Sequence, residues 1–395
     1  METQIRNPKS EIRNKSQIRN PKRNERLDSP FLFAVAFLSV PGVLCGSTAF
    51  ADWPLFRGNP EQTGVVTEAL PDPLEVRWKV QVKRGIASTA AIVKGVVYVG
   101  SFDEHLYAFD LASGERKWKF KGGSFKAPPS FFEGAVYIGD EDGVFYCIDA
   151  AKGTKRWDVD IDATISGGAN FAGDLVVFGS HDSTLHALHR ADGKPAWKYK
   201  TKQGPVFGSA LVADGQTFVA GCDSMLHIVD VKSGKGIAQV ELSGQSGSTP
   251  TFKDGKLYVP NMANQVQAVD LAKRQVVWTF EAEQSQPFNC SAAVTDKRVI
   301  VGGDEGAVFA IDAAKGTQVW AFPTKKGRVE SSPVVAGSRV YVGTTAGTLY
   351  VLDLNKGKEM QKLQLGKGIT ASPAVAEGCL VIGTTDGILY CLGKK

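Results

Sequence analysis

Val96-Val97-Tyr98-Val99-Gly100, Leu106-Tyr107-Ala108-Phe109-Asp110, Gly114 and Trp118 follow one another within a single short stretch. An apolar run stops at glycine. After a polar turn, a second apolar run stops at aspartate, and a glycine turn leads to tryptophan among charges. Runs of five or six apolar and β-branched residues bounded by turn formers predict antiparallel strands, not helix. The same order returns at Val136-Tyr137-Ile138-Gly139, Phe145-Tyr146-Cys147-Ile148-Asp149, Gly153 and Trp157.

Outward from this stretch, the pattern occurs eight times. Its strand-end landmarks are Gly100, Gly139, Gly179, Gly221, Pro260, Gly302, Gly343 and Gly383, with spacings of 39 to 42 residues. Each copy also carries an earlier run of small residues, such as Ala87-Ser88-Thr89-Ala90-Ala91 and Ala371-Ser372-Pro373-Ala374-Val375. Four short strands per copy, repeated radially, predict an all-β, eight-bladed β-propeller of four-stranded antiparallel blades. Small residues suit the innermost strands, which converge on a narrow axis. The chain stops where the eighth copy should begin its Trp strand, and a stray alternating strand, 76–82, precedes the first copy. That N-terminal strand is expected to complete the last blade and close the ring. The propeller is assigned to 73–395, with 52–72 as an N-terminal arm.

Trp78, Trp118, Trp157, Trp197, Trp278 and Trp320 share one register, where copies four and seven show Ala238 and Met360. They are read as structural blade-docking residues. A wedged indole removing some 150 Å2 or more from water would contribute up to about 4 kcal/mol.

Ahead of the repeats, 1–30 is basic and repetitive, 31–38 is apolar, and Ala49-Phe50-Ala51 is a small-residue cleavage pattern. Region 1–51 therefore reads as a basic n-region and secretory signal peptide cleaved after Ala51, which predicts export to the periplasm or cell envelope. Leu44 before Cys45 and Gly42 further upstream argue against a lipid anchor at Cys45. Region 1–51 holds eight Lys/Arg and four Asp/Glu, leaving 38 basic and 37 acidic groups in the body. A near-neutral body argues against binding nucleic acid through phosphates. Five cysteines remain, Cys147, Cys222, Cys290, Cys379 and Cys391, without a C-x-x-C or an adjacent pair. They read as apolar fillers, although Cys379 and Cys391 could face each other across one hairpin.

The repeat G-x-x-D-G-x-L-Y-A-x-D-x-x-x-G-x-x-x-W resembles that of the PQQ-like propellers. Gly383-Thr384-Thr385-Asp386-Gly387-Ile388-Leu389-Tyr390 and Gly302-Gly303-Asp304-Glu305-Gly306-Ala307-Val308-Phe309 match it closely. The opening 52–59 also looks like the lead-in to such propellers. Two branches compete. Quinoprotein dehydrogenases use PQQ with calcium and bring an adjacent Cys-Cys disulfide, which this chain lacks. The BamB-like group is a non-catalytic scaffold of outer-membrane assembly. Length, eight blades and short loops resemble the second branch. The resemblance implies an exported, monomeric, non-enzymatic scaffold for proteins or peptides, without a cofactor. A quinoprotein dehydrogenase with a reduced site, or a carbohydrate- or signal-binding sensor, is the alternative.

Chemistry-bearing residues mostly follow the repeat. Asp110, Asp149, Asp230, Asp270, Asp312 and Asp353 end third strands, where a carboxylate accepts turn N–H groups. Asp140-Glu141-Asp142 and Asp304-Glu305 read as solvated turns. His181, His186 and His189 lie around one hairpin without metal-ligand spacing. Hairpins between second and third strands are acidic, and turns between third and fourth strands are basic, which would put opposite charge on opposite faces. Phe125, Phe207 and Phe288 precede inner strands. They are candidate partner-binding residues of the funnel mouth, or else pack into the blade tops.

Overall fold

The computed structural model describes residues 52–283 and 287–395. The expected signal peptide, its cleavage site at Ala51 and Cys45 lie outside the described residues. The described residues contain no helix, and their strands form eight blades. Blade 1 comprises Ala91–Val93, Val96–Ser101, His105–Asp110 and Arg116–Lys121, in that order from the axis outward. Blades 2 to 7 repeat this over 130–160, 170–200, 211–241, 251–281, 293–323 and 334–364. Blade 8 takes three strands from the C-terminal end, Ala374–Ala376, Cys379–Gly383 and Ile388–Gly393. Its outer strand is Glu75–Gln81 from the other end of the chain. Trp78 stands opposite Cys391 and Lys79 opposite Tyr390, so the ring is closed by an ordinary antiparallel ladder.

Two contacts recur at most seams between blades. The first lies near the axis and explains the strand-end glycines. At six seams the chain enters the inner strand through one buried apolar residue, which packs on the preceding blade's landmark glycine; blade 5 has Ser246 at this position, and blade 6 has Phe288 after Pro260. A Cβ on Gly139 would lie 2.3 Å from Ile165 Cγ2, and one on Gly383 2.2 Å from Ile86 Cγ2. Only glycine admits the neighbour this closely. The same residue donates its N–H to the preceding blade, as in Ile165 to Asp140 O at 3.0 Å and Ile86 to Thr384 O at 2.9 Å.

The second contact is the tryptophan. Each indole lies against the next blade's third turn and donates Nε1–H to a carbonyl there. The acceptors are Leu111, Ala150, Arg190, Val231, Ala313 and Leu354, for Trp78, Trp118, Trp157, Trp197, Trp278 and Trp320, at 2.8 to 3.2 Å. The turn glycine sits on the ring. Gly153, at φ +68°, would bring a Cβ within 2.6 Å of Trp118 Cδ2. Where blade 4 has Ala238, the following turn has no glycine. Arg274 takes the left-handed position at φ 54°. Glycine at this turn therefore accommodates an indole and is not demanded by the turn itself.

Blade 7 corrects one sequence assignment. A bulge makes Val351 pair with Gln361, so Gln361, not Met360, holds the tryptophan register. Met360 points outward, 51% exposed. The reason is the closure. Blade 8 has no turn between third and fourth strands, because its fourth strand comes from the N-terminal side. Gln361 instead grips the backbone of Leu74, donating Nε2–H to its carbonyl at 2.8 Å and accepting its N–H at 3.0 Å.

Third-strand residues facing the seams also vary by blade. Tyr107 and Tyr146 bond Asp103 and Asp140 at 2.8 Å, and His227 bonds Asp223 at 3.0 Å. His186, its side chain 1% exposed, contacts Ser180 Oγ at 2.8 Å beside Asp182. Burial, outweighing the attraction of Asp182, pushes its imidazole down to about 4, and burial also lowers His227 against Asp223.

Two outcomes follow from these seams. Gly316→Arg, which would drive a side chain into Trp278, is expected to cost more than 2 kcal/mol in urea denaturation, on the order of other overpacked sites. Arg274→Gly, at the turn facing Ala238, should change stability by less than about 1 kcal/mol. Equal effects would refute the indole–glycine pairing. The histidines set an acid limit. A neutral buried imidazole binds its proton later than the unfolded chain does, so stability present above about pH 6.5 falls as pH drops towards 4. For His186 the loss is on the order of 3 kcal/mol. His186→Tyr, copying blades 1 and 2, should flatten the pH dependence of the denaturation midpoint between pH 7 and 4.5; an unchanged slope would exclude His186 as its source.

Candidate functional site

The first strands of the eight blades surround the axis, and the arm runs along them. Trp53 exchanges backbone hydrogen bonds with Ile92, and Pro54 O accepts from Phe131 N. Pro60, Glu61, Thr63 and Gly64 accept in turn from Val212, Phe252, Val294 and Val335. Val65–Val66 then pairs in parallel with Val334–Ala336. The arm thus touches the inner strands of blades 1 to 7 and plugs the axis with Trp53, Leu55, Arg57 and Gln62, all buried. Arg57 Nη2 donates to Ala292 O at 2.9 Å, while its Nε and Nη1 have no protein partner. Burial lowers this guanidinium to about 10.

Beside this plug opens a funnel of about 350 Å3. Its floor is a ring of hydroxyls. Thr89, Ser372, Ser332, Ser291, Thr249 and Ser209 each accept a backbone N–H from the blade before, from Ser372, Ser332, Ser291, Thr249, Ser209 and Gly168 respectively, at 2.7 to 3.1 Å. Hydroxyls used as acceptors keep a hydrogen to donate, and this ring faces the funnel. Pro128 and Gly168 complete the circle, with Phe56 of the arm beside Gly168. The rim carries Lys126, Phe207, Met262, Asn289 and Glu330. Arg328 pairs with Glu330 at 2.7 Å.

The three funnel-mouth phenylalanines separate here. Phe207 lines the funnel, its ring edge-on to His181 at 4.8 Å, and His181 Nε2 contacts Ser166 Oγ at 2.9 Å. Burial, then the nearby Lys126, lowers His181 against Glu141. Phe125 and Phe288 are fully buried, so as candidates for the funnel mouth they are corrected in favour of the other alternative, packing into the blades. They occupy the seam register of Ile165 and Val206, donating N–H to Ser101 O and Asn261 O. Phe207 comes one residue after Val206, and in extended chain a one-residue shift reverses the direction of a side chain.

The funnel face is also less acidic than the sequence suggests. It carries the hairpins between second and third strands, but their carboxylates are partly consumed. Asp140 is buried and accepts N–H from Gly123 and Val144 as well as the Tyr146 hydroxyl. On the opposite face Asp110, Asp149, Asp312 and Asp353 accept turn N–H groups. Among the described residues no group of three or more His, Cys, Asp or Glu could hold a metal ion.

Sequence reasoning missed Met262, 40% exposed, because its hairpin carries no repeat signature. It also missed the hydroxyl ring, although Ser or Thr recurs at one position in six copies.

Comparison with known proteins places this geometry. The family described as "Outer membrane protein assembly factor BamB" matches over 61–128, 121–251 and 210–395. The BamB of Burkholderia pseudomallei is 24% identical over 66% of this chain, and the match spans 62% of that protein. That of Yersinia pestis is 24% identical over 40% of this chain and 44% of its own length. Among solved structures, BamB from Moraxella catarrhalis superposes with a TM-score of 0.71 at 20% identity, covering 82% of this chain and 98% of that one. The quinohemoprotein alcohol dehydrogenase of Comamonas testosteroni reaches 0.75 at 13% identity, covering 87% of this chain and 81% of its own. These two structural likenesses carry the propeller fold, whereas the family match spans most of the chain: it belongs to the BamB family of PQQ-like repeat propellers.

Proposed function

We propose that this chain is an exported, non-catalytic scaffold of outer-membrane protein assembly that docks an extended protein segment at the funnel face. The observation that carries this reading is the rim itself. Met262 and Phe207 meet over Gly247, an apolar anchor above a floor of hydroxyls. A polypeptide offers apolar side chains and backbone carbonyls, which suit an anchor of this kind and free hydroxyl donors. Membership in the BamB family supports the assembly role.

The dehydrogenase reading fits these residues poorly. Calcium takes six to eight oxygen ligands, with carboxylates among them. The funnel floor supplies hydroxyls, and Glu330 on the rim is paired to Arg328. The five described cysteines are free thiols in separate strands and loops, with no vicinal disulfide to stack on a quinone.

Affinity purification of the chain from envelope extract tests the proposal. Components of the β-barrel assembly machinery should be enriched with the wild-type chain. Recovery should fall at least tenfold with Phe207→Asp/Met262→Asp at unchanged melting temperature. Absence of any such component, or equal recovery with the double variant, would overturn it. PQQ with Ca2+ should support no dye-linked alcohol oxidation; turnover would favour the dehydrogenase.

A further inference from the structure

Blade 8 shares an outer-strand cation with blades 1 and 2 but lacks the carboxylate that pairs with it there. In blades 1 and 2 the bulge residue of the outer strand is a cation paired with the aspartate that ends the third strand, Lys117 with Asp110 at 3.2 Å and Arg156 with Asp149 at 2.8 Å. Blade 8 keeps the cation as Arg77 but has Gly393 where the carboxylate should be. A Cβ on Gly393 would lie 2.9 Å from Arg77 Cδ, so the arginine lies across the bare glycine. Its Nη1 donates to Cys379 Sγ at 2.8 Å. Cys379 starts the second strand. Cys391 stands opposite Val381, two residues on, so both sulfurs share one sheet face. A thiol has replaced the carboxylate as the counter-group of a cation, with a second thiol beside it.

We propose that Cys379 is a reactive thiolate paired with Arg77, that hydroperoxides oxidise it, and that Cys391 is its resolving partner. The thiolate attacks the O–O bond of the hydroperoxide, giving Cys379 sulfenic acid and an alkoxide or hydroxide that takes up a proton. The Cys391 sulfur then displaces the sulfenic oxygen as water, forming a Cys379–Cys391 disulfide. Cys379 and Cys391 together lose two electrons, and the peroxide gains them.

Three features support the site. A cavity of about 200 Å3 between blades 8 and 1 is lined by Cys379, Arg77, Lys94, Asp110, Lys117 and Glu377, wide enough for a small peroxide. Asp110 is held by Lys117, and Glu377 accepts the Gly95 N–H at 2.7 Å, which leaves Arg77 facing the thiol. The neighbouring Cys391 thiol, then the Arg77 charge, hold Cys379 below the ordinary thiol range, against burial and Glu377, while the neighbouring Cys379 sulfur and burial push Cys391 up. Cys147 and Cys290 are raised by burial, and Cys222 by burial and Asp223. Reactivity follows thiolate content, so Cys379 should react ahead of thiols that are as buried or more exposed.

Peptide mapping of the reduced full-length chain after iodoacetamide at pH 6.5 tests this. Cys379 should label at least tenfold faster than Cys222, although Cys222 is the more exposed. Arg77→Gln should remove most of that advantage without changing the melting temperature. Stoichiometric hydrogen peroxide should yield the Cys379–Cys391 disulfide, and in Cys391→Ser a dimedone adduct at Cys379. Faster labelling of Cys222, indifference to Arg77→Gln, or failure to find either oxidation product would overturn the proposal.

Discussion

A blade cannot be stable alone, because each sheet has two apolar faces, and only a neighbour on either side removes both from water. Everything in this molecule depends on the blade-to-blade seam. The seam uses two fixings at different radii. Near the axis a buried side chain sits on a bare glycine and donates its N–H across the gap. Near the rim an indole sits on a second glycine and donates across the same gap. In both, close approach needs the absence of a Cβ, and a hydrogen bond sets the register. Apolar area supplies most of the energy, while the directional bonds keep the sheets from sliding.

The rules bend where the ring is joined. Seven blades connect third to fourth strand by a turn, and blade 8 does not. The neighbour of that missing turn loses its tryptophan and gains Gln361, whose amide offers both a donor and an acceptor to the passing Leu74 backbone. At the same joint the terminal aspartate becomes Gly393, and Arg77 turns to sulfur. Deviations from a repeat thus report a change in what the neighbouring chain supplies.

Much of this was legible in the sequence. Spacing near 40 residues gives the blade number, and the unmatched strand at one end answers the strand missing at the other. Paired features are the strongest signal. Tryptophan in one copy and glycine in the next copy's turn occur together, and at Ala238 and Arg274 both are absent. Bulges and one-residue shifts were not legible. Met360 and Gln361 differ by one position, as do Val206 and Phe207, and a pleated strand sends adjacent side chains to opposite faces. The aromatic at Phe125 and Phe288 therefore marks a seam, and the one at Phe207 marks the funnel. The course of the arm was also hidden. Its contacts are mainly backbone bonds to six inner strands, and backbone bonds leave little trace in side-chain pattern.

A rigid ring with near-identical seams has little means of recognising anything by its common features. Recognition must come from what differs between blades. The floor hydroxyls recur in six blades, so they offer a uniform circle of donors that suits many ligands and selects none. Phe207 and Met262 occur once each, on adjoining blades, and they give the funnel a side. The arm adds to this asymmetry, because Phe56 lies beside Gly168, where the hydroxyl circle is interrupted. An elongated ligand entering the funnel therefore meets apolar surface along one sector and hydroxyl donors along the rest. That difference fixes a direction across the disc, which eightfold repetition alone would not define.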